Sequence, residues 1–337
     1  MFVIKKNISL KPNNTFGIDV STRYFARANT VEKIIYSINF ASYNRLPIYV
    51  LGGGSNVLLT SDIEGVVVNS AINGIAMIEE SGSDVTLSVG AGVVWDDFVA
   101  FAVQKGWGGV ENLSYIPGCV GAAPIQNIGA YGVEAEKSII KVEYIDIAKR
   151  KLEEINHSEC RFGYRDSIFK QELKGKVIIT NVWFRLSKKL EFRVDYGSLQ
   201  TEVAKLGEVT LSNIRNAVID VRKRKLPDPK EVGNAGSFFK NPIVEVEVYR
   251  DLKVKFPEMP FYQLSDSLVK IPAGWLIEQA GWKGKRVGNC GVHQKQALVI
   301  VNYGGATGKE ILAFAKSIQE SVASTFGLEL EMEVNIL

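Results

Sequence analysis

Cysteine and histidine are scarce in this sequence. Its 337 residues include 3 cysteines and 2 histidines. Cys119, Cys160 and Cys290 are odd in number and far apart, which argues against a disulfide framework and predicts reduced thiols. Because no pair of cysteines or histidines has the spacing of a zinc site, we expect no structural metal.

Long apolar runs and a strong charge of one sign are also missing. No stretch approaches the roughly 20 apolar residues of a membrane helix, and the N-terminus lacks the order of a signal peptide. The formal net charge is +3, from 40 basic and 37 acidic residues. We therefore expect a cytoplasmic protein that binds neither membranes nor nucleic acid.

The composition is that of a globular protein with two or three domains. Charged residues make up 23% and hydrophobic residues 46% of the chain. The first part predicts an α/β unit, with a helix over residues 30–44 and short strands at 47–51, 57–59 and 65–68. Short strands then predominate, at 84–89, 142–147 and 177–186, with one helix over 95–105.

The last third of the chain is predicted to mix helices and strands. A helix over residues 211–225 ends before the turn Pro227-Asp228-Pro229, which marks a domain boundary. Thr307 and Glu310 form a capping box for a helix that ends near residue 326. Gly327 is the expected C-cap, and a final strand is predicted over 328–337.

Five small residues, Gly52-Gly53-Gly54-Ser55-Asn56, lie between two predicted strands. Glycines let a backbone approach a ligand closely, and successive N–H groups can bind a pyrophosphate. The loop is neither a G-x-G-x-x-G nor a Walker motif. The pattern leaves phosphate binding and a tight strand connection equally open.

A long segment over residues 116–132 is rich in small residues and almost free of charge. Loops of this length are usually functional or disordered, and this one is too apolar to be disordered. A packed structural loop is the alternative. We favour a ligand wall, although the composition does not identify the ligand.

Together the two segments resemble the UDP-N-acetylenolpyruvoylglucosamine reductase family, and the Tyr-Arg-Asp-Ser motif at 164–167 with Tyr196 indicates its type I branch. Leu-Gly-Gly-Gly-Ser-Asn-Val-Leu-Leu is followed by Ile-Pro-Gly-Cys-Val-Gly-Ala-Ala-Pro-Ile-Gln-Asn-Ile-Gly-Ala-Tyr-Gly. Further motifs of the family recur at 160–169, 222–242, 273–298 and 328–334. The resemblance implies an α+β fold, in which a two-lobed FAD-binding fold of the p-cresol methylhydroxylase and vanillyl-alcohol oxidase type carries a C-terminal α/β substrate-binding domain.

The resemblance also implies domain roles and a cofactor. Residues 1–72 and 73–207 are expected to be the two FAD lobes, 208–326 the substrate domain, and 327–337 a strand that returns to the first lobe. FAD is expected to bind without a covalent link, with NADPH as co-substrate. The implied FAD contacts are Gly52, Gly53, Gly54, Ser55, Asn56, Val57, Pro117, Gly118, Gly121, Ala122, Gln126, Gly129, Ala130, Tyr131, Gly132 and Arg222.

Three residues match the family's catalytic positions. Arg165 is a planar cation suited to the enolpyruvyl carboxylate, where negative charge develops during hydride addition. The resemblance makes Ser237 the proton donor and Glu333 the catalytic acid. The ordinary alternatives are a surface salt bridge for Arg165, a cap or turn role for Ser237 and a solvated edge charge for Glu333.

The remaining implied contacts are with the sugar nucleotide. They are Tyr164, Tyr196, Lys225, Asn241 and Gln296. Tyr196 falls where the type I branch has a loop tyrosine, and Lys225 is suited to the UDP phosphates as a point charge. The basic run at 222–225 has the alternative role of complementing a helix dipole.

Two other functions stay open at this point. The chain could be another flavin oxidase of the same fold, but His157 and His293 lie outside the glycine loop, which disfavours covalent FAD. It could also be a sugar-nucleotide sensor without activity, but such a protein is expected to lose Arg165, Ser237 or Glu333. We expect a monomeric enzyme that makes UDP-N-acetylmuramate for the cell wall.

Overall fold

The computed structural model describes residues 2–337, and the chain divides into two compact units. The first unit comprises residues 1–9, 21–54 and 63–224, and the second comprises 10–20, 55–62 and 225–337. Within residues 2–337, no helix has the length and apolar character needed to cross a bilayer. The predicted three-part division with its functional roles stays a prediction.

The first unit begins with a four-stranded sheet covered by a helix. The strands are ordered β1-β2-β5-β3, with β2, β5 and β3 parallel and β1 antiparallel. Thr30 caps the helix by accepting a hydrogen bond from the Lys33 N–H, and the helix buries Ile34, Ile38 and Ala41 against the sheet. The elements are β1 (Lys5–Ser9), β2 (Ser21–Ala28), α1 (Val31–Tyr43), β3 (Ile48–Val50) and β5 (Ile63–Ser70).

A second, antiparallel sheet in the same unit has the strand order β11-β10-β12-β7-β6. The helix α2 packs Trp95 and Phe98 against Phe184 of the central strand, with ring centroids 5.9 and 4.6 Å apart. This aromatic group anchors an extensive apolar core. The elements are β6 (Ile75–Glu80), β7 (Asp84–Gly90), α2 (Trp95–Gln104), β10 (Ile139–Asp146), β11 (Lys151–Asn156) and β12 (Val177–Ser187).

The first unit is completed by a short hairpin and two helices. The hairpin pairs β8 (Gly129–Ala130), at the end of the long segment that the sequence singles out, with β9 (Val133–Glu134), which follows that segment. The helices α3 (Leu199–Ala204) and α4 (Leu211–Lys225) share a small core, against which Tyr131, Phe192 and Val194 pack.

The second unit contains a four-stranded and a three-stranded antiparallel sheet, ordered β13-β19-β18-β17 and β14-β16-β15. A parallel pair, β20 with β4, joins the end of the chain to the strand after the glycine loop. The elements are β4 (Val57–Leu58), β13 (Gly233–Ser237), β14 (Ile243–Glu245), α5 (Val246–Lys255), β15 (Tyr262–Gln263), β16 (Leu268–Lys270), α6 (Ala273–Gln279), β17 (Arg286–Val287), β18 (Cys290–Val292), β19 (Val299–Asn302), α7 (Gly308–Phe326) and β20 (Asn335–Ile336).

The long helix α7 has the ends that the sequence predicts. Thr307 accepts a hydrogen bond from the Glu310 N–H, and the Glu310 carboxylate accepts one from the Thr307 N–H. Gly327 ends the helix in the left-handed conformation, with φ of 67°. The capping box and C-cap are therefore confirmed, as is the helix over 211–225.

The predicted final strand over 328–337 is wrong in extent, because the structure has a strand only at Asn335–Ile336. Before this strand, the backbone makes hydrogen bonds to separate partners and forms no continuous ladder. Glu331 O accepts from the Lys240 N–H, Leu330 O accepts from the Gln319 side chain, and the Glu333 N–H donates to Phe238 O. An alternating apolar pattern predicts that the chain is extended. It does not show whether a neighbouring strand is present along the whole length to pair with it.

Candidate active site

The glycine loop closely approaches the segment over residues 116–132 within the first unit. A Cβ placed on Gly53 would lie 3.1 Å from the Cα of Gly118, so a side chain there would push the two backbones apart. The Asn69 side chain donates hydrogen bonds to the carbonyls of Leu51 and Gly52 at 2.7 and 3.0 Å. The β5 strand thus fixes the loop in position.

The 116–132 segment, called here the flavin-lining segment after the role that the resemblance implies, is also closely packed. A Cβ on Gly121 would lie 2.6 Å from the Ala91 Cβ, which only glycine avoids. Asn127 and Tyr131 have positive φ values of 45° and 49°. Such values cost about 1–2 kcal/mol per ordinary residue and often occur at functional sites.

Arg165 lies on a tight turn beside this segment. The Gly163 and Asp166 backbones exchange hydrogen bonds, and Arg165 has a φ of 54° between them. Its guanidinium donates to Gly129 O at 2.6 Å and to Asn127 O at 3.3 Å. A Cβ on Gly129 would come within 2.9 Å of the guanidinium, so Gly129 leaves room for the cation.

The side chain of Asn127 holds this turn through hydrogen bonds. It is fully buried, and its amide nitrogen donates to Gly163 O at 3.1 Å and to the Glu134 carboxylate at 2.9 Å. Its side-chain oxygen accepts from the Glu136 N–H. Asn127 is not recognisable as a site residue from the sequence, because its hydrogen-bond partners are distant in sequence and only the fold shows them.

Arg222, at the end of α4, donates from its Nε to Tyr115 O at 3.1 Å. Burial lowers the pKa of this guanidinium, while Tyr131 and Asp96 nearby act in the opposite direction. Arginine stays protonated nonetheless. Tyr115 has a φ of 61°, and its N–H donates to Asp96, which forms a bidentate pair with Arg215 at 2.6 and 2.8 Å. The sequence analysis missed this Asp96–Arg215 pair.

Tyr164 and Tyr196 also belong to the first unit. The Arg165 guanidinium carbon lies 5.4 Å from the centre of the Tyr164 ring. The Tyr196 ring is 44% exposed and packs edge-on against Tyr131 at 6.4 Å. The structure therefore groups both tyrosines, Arg165 and the flavin-lining segment in one unit.

Ser237 lies in the second unit, on a strand that bulges. The pairing of β13 with β19 shifts register between Asn234 and Ser237, and Gly236 has a φ of 69°. Asn234 is buried and holds the bulge, because its oxygen accepts from the Gly236 N–H while its nitrogen donates to Val232 O. The Ser237 hydroxyl has no hydrogen-bond partner within residues 2–337.

Glu333 lies next to this strand in the same unit. Its N–H donates to Phe238 O at 2.8 Å, and its carbonyl accepts from the Asn56 side chain at 3.3 Å. The tail also pairs Met332 with Phe239. The structure therefore brings the Glu333 and Ser237 backbones to neighbouring positions. Glu331, two residues before, is exposed and pairs with Lys240 instead.

The other predicted substrate contacts are in the second unit as well. Asn241 accepts a hydrogen bond from the Ala273 N–H and so holds the first turn of α6. Gln296 accepts from the Leu298 N–H at 3.3 Å, and a Cβ placed on Gly274 would lie 3.4 Å from the Gln296 side-chain oxygen. Lys225 is exposed at the end of α4. These contacts explain their positions but do not test their predicted roles.

The cysteines offer no reactive thiolate at neutral pH. Burial raises the pKa of Cys160 to about 12 and that of Cys290 to about 11. Burial also raises the pKa of Cys119. Over residues 2–337 there is no group of three or more Cys, His, Asp or Glu side chains arranged to bind a metal ion.

Comparisons with known proteins agree with this geometry. Residues 22–155 match the model of an FAD binding domain, and residues 228–337 match that of the UDP-N-acetylenolpyruvoylglucosamine reductase C-terminal domain. A reductase of that name from Bacteroides fragilis is 47% identical over 334 residues, which cover 99% of this chain and 100% of the relative. This chain belongs to the UDP-N-acetylenolpyruvoylglucosamine reductase family.

Further relatives and a crystal structure extend the comparison. The Flavobacterium johnsoniae reductase is 46% identical, with 99% of each chain covered. The reductase structure from Thermus caldophilus has a TM-score of 0.68 at 24% identity, over 100% of this chain and 99% of that one. The predicted family and the predicted α+β fold, with an FAD-binding part and a C-terminal domain, are confirmed.

Proposed function

We propose that this reductase converts UDP-N-acetylenolpyruvoylglucosamine to UDP-N-acetylmuramate, with FAD as cofactor and NADPH as hydride donor. Family membership over nearly the whole chain supports the FAD-dependent reduction in peptidoglycan synthesis. The observation that carries the residue roles is the Arg165 guanidinium held against the carbonyls of Asn127 and Gly129.

The residues present fit FAD. The glycine loop lies so close to the flavin-lining segment that a Cβ on Gly53 would meet the Cα of Gly118 at 3.1 Å, and backbone without side chains lets a pyrophosphate approach closely. We assign the pyrophosphate to residues 52–57 and the ring system to residues 117–132 with Arg222. Bound FAD supplies hydride transfer between the nicotinamide and the enolpyruvyl carbons.

Arg165 is proposed to hold the substrate carboxylate. Its two carbonyl partners fix the direction of the planar cation before substrate arrives. Hydride addition to the double bond moves negative charge toward the carboxylate, so a fixed cation there favours the transition state over the ground state. Tyr164 stacks under the guanidinium and supports that orientation.

Ser237 is proposed to donate the proton that completes the reduction. Its hydroxyl is half-buried and has no protein partner within residues 2–337, which suits a group that must turn toward a substrate carbon. A serine is a weak acid, but the carbanion-like product of hydride addition is a strong base, and fixed geometry removes the cost of encounter. Glu333 is proposed to share or orient this proton.

The remaining assignments concern the contacts with the sugar nucleotide, the domain roles, the oligomeric state and the cellular compartment. The proposed substrate contacts are Tyr196, which is exposed, and Lys225, Asn241 and Gln296. We propose that 208–326 binds the substrate and that the tail serves to present Glu333. We further propose a monomer that acts in the cytoplasm.

An assay of NADPH consumption and product formation tests this function. The purified protein with FAD is mixed with NADPH and UDP-N-acetylenolpyruvoylglucosamine, and the product is identified by mass spectrometry. We expect consumption of NADPH that depends on the sugar nucleotide, with formation of UDP-N-acetylmuramate. NADPH consumption without this product would contradict the substrate assignment. Equal rates with NADH would contradict the choice of NADPH.

A further inference from the structure

One buried amide joins the flavin-lining segment to the segment that carries Tyr196. The side chain of Asn112 is 1% exposed, and its nitrogen donates to Tyr131 O at 3.0 Å and to Arg193 O at 2.7 Å. Its side-chain oxygen is buried and has no hydrogen-bond partner in the described part of the chain. Both side-chain hydrogen bonds of Asn112 therefore serve to connect these two segments.

The segment over residues 190–196, called here the tyrosine segment, is held at its far end by Tyr196, whose carbonyl accepts from the Leu199 N–H. Residues 188–198 form neither helix nor strand. Among residues 2–337, the bond from Asn112 to Arg193 O is the only hydrogen bond made by the backbone of residues 190–195. Phe192 and Val194 pack against the core shared by α3 and α4.

A cavity beside the tyrosine segment leaves it room to shift. The cavity has a volume of about 400 Å³ and is lined in part by Leu190, Phe192 and Arg193, with Gly108 and Leu211 opposite. Packing is incomplete on the side of the cavity, although Phe192 and Val194 contact the core on the other side. The bridge from Asn112 supplies the missing constraint.

The far end of the tyrosine segment lies against the flavin-lining segment. The Tyr196 ring meets the Tyr131 ring edge-on at 6.4 Å, and a Cβ on Gly132 would lie 3.6 Å from the Tyr196 Cβ. Asn112 also binds the carbonyl of Tyr131, the residue whose ring contacts Tyr196. The position of Tyr196 is thus coupled to that of the flavin-lining segment.

We infer that Asn112 is a positioning residue for substrate binding, which holds the tyrosine segment in register with the flavin-lining segment. This inference rests on the proposed substrate contact of Tyr196. Without the bridge, the segment samples other positions, and substrate binding must first restore the competent one. The effect falls on the KM for the sugar nucleotide, because Tyr196 is the proposed substrate contact on this segment.

The test uses the FAD-loaded enzyme with Asn112→Asp and Asn112→Ser. Aspartate has nearly the same shape but its carboxylate donates no hydrogen bond, and serine keeps one donor. We expect faster tryptic cleavage after Arg193 in both variants. The KM for the sugar nucleotide should rise about tenfold in Asn112→Asp, the loss expected for one or two hydrogen bonds, and less in Asn112→Ser.

Asn302→Asp is the matched control. Asn302 is also buried, in the second unit, and donates to Phe16 O at 2.9 Å. This variant should lose stability but keep the wild-type cleavage rate after Arg193. If Asn112→Asp does not fold, Asn112→Ser decides the question.

Unchanged cleavage after Arg193 in a folded Asn112 variant would overturn the inference. Faster cleavage with an unchanged KM would also overturn it. In that case the KM of Tyr196→Ala shows whether the coupling through Asn112 or the substrate contact of Tyr196 is wrong. If Tyr196→Ala raises the KM, the coupling through Asn112 is what fails. If Tyr196→Ala leaves the KM unchanged, the proposed substrate contact of Tyr196 fails instead.

Discussion

The turn that carries Arg165 and the strand that carries Ser237 are built alike but present their side chains differently. Each depends on a buried asparagine, Asn127 in the first unit and Asn234 in the second. Each also contains a residue with positive φ, Arg165 itself and Gly236. The Arg165 guanidinium is anchored by carbonyls, whereas the Ser237 hydroxyl has no partner within residues 2–337.

This difference matches the two kinds of chemistry proposed. A cation that stabilises developing charge is most effective when its direction is fixed in advance, because no reorganisation is then needed during the reaction. A proton donor must instead turn its hydroxyl toward the carbon that receives the proton. The comparison therefore predicts which substitutions affect which step.

The largest effect is expected from Ser237→Ala. Reoxidation of the reduced flavin by the sugar nucleotide should slow by about 10²–10⁴-fold, the usual contribution of a general acid. Reduction by NADPH should keep its rate, because no proton from Ser237 is involved. Stopped-flow absorbance under anaerobic conditions measures both steps, and reoxidation at the wild-type rate would remove Ser237 from the mechanism.

Arg165→Lys should give the next largest effect. Lysine keeps the charge but cannot bind Asn127 O, Gly129 O and a carboxylate in one plane, so we expect kcat/KM for the sugar nucleotide to fall about 10²-fold. Arg161→Lys is the matched control, because Arg161 also has a positive φ, of 48°, but is exposed and paired with Glu172. Equal losses in both variants would mean that the effect is structural.

Asp96→Asn tests the support beneath the flavin-lining segment. Burial raises the pKa of Asp96, but hydrogen bonds from Arg215 and the Tyr115 N–H outweigh it and hold the pKa below its usual value. A depressed pKa stabilises the fold above the unfolded-state pKa, and this contribution is lost as pH falls through the folded-state pKa. The variant should be about 1–3 kcal/mol less stable at neutral pH.

The stability difference between wild type and Asp96→Asn should disappear in acid. Denaturant unfolding at several pH values measures it. A difference that stays constant from neutral pH down through the depressed pKa of Asp96 would mean that the charge of Asp96 does not stabilise the protein.

The smallest effect is expected from Glu331→Gln. Glu331 pairs with Lys240 at 2.6 Å but its side chain is 67% exposed, so the free energy of unfolding should change by less than about 1 kcal/mol. The rate of flavin reoxidation should not change, whereas Glu333→Gln should lower it. A comparable loss of rate in both variants would contradict the separate roles of these two glutamates.

The sequence predicts the elements that local signals define and misses those that distant contacts define. The helix over 211–225 and the ends of α7 follow from periodicity, a capping box and a C-cap glycine. The final strand is shorter than predicted, because the Glu333 N–H bonds to Phe238 O, far away in sequence.

The same distinction applies to the candidate site. The glycine loop and the motifs around Arg165 and Ser237 are recognisable as residue patterns. Asn112, Asn127 and Asn234 are not, because an asparagine in a glycine-rich stretch is ordinary until its hydrogen-bond partners are known. A buried amide that bonds to two or more backbone groups is visible only in the fold.

The central claim is most directly tested by anaerobic flavin absorbance, with NADPH and then UDP-N-acetylenolpyruvoylglucosamine added to the FAD-loaded protein. The account predicts bleaching by NADPH and full recovery of the absorbance when the sugar nucleotide is added. Bleaching without recovery would contradict the substrate assignment, and a protein that takes up no FAD would contradict the account as a whole.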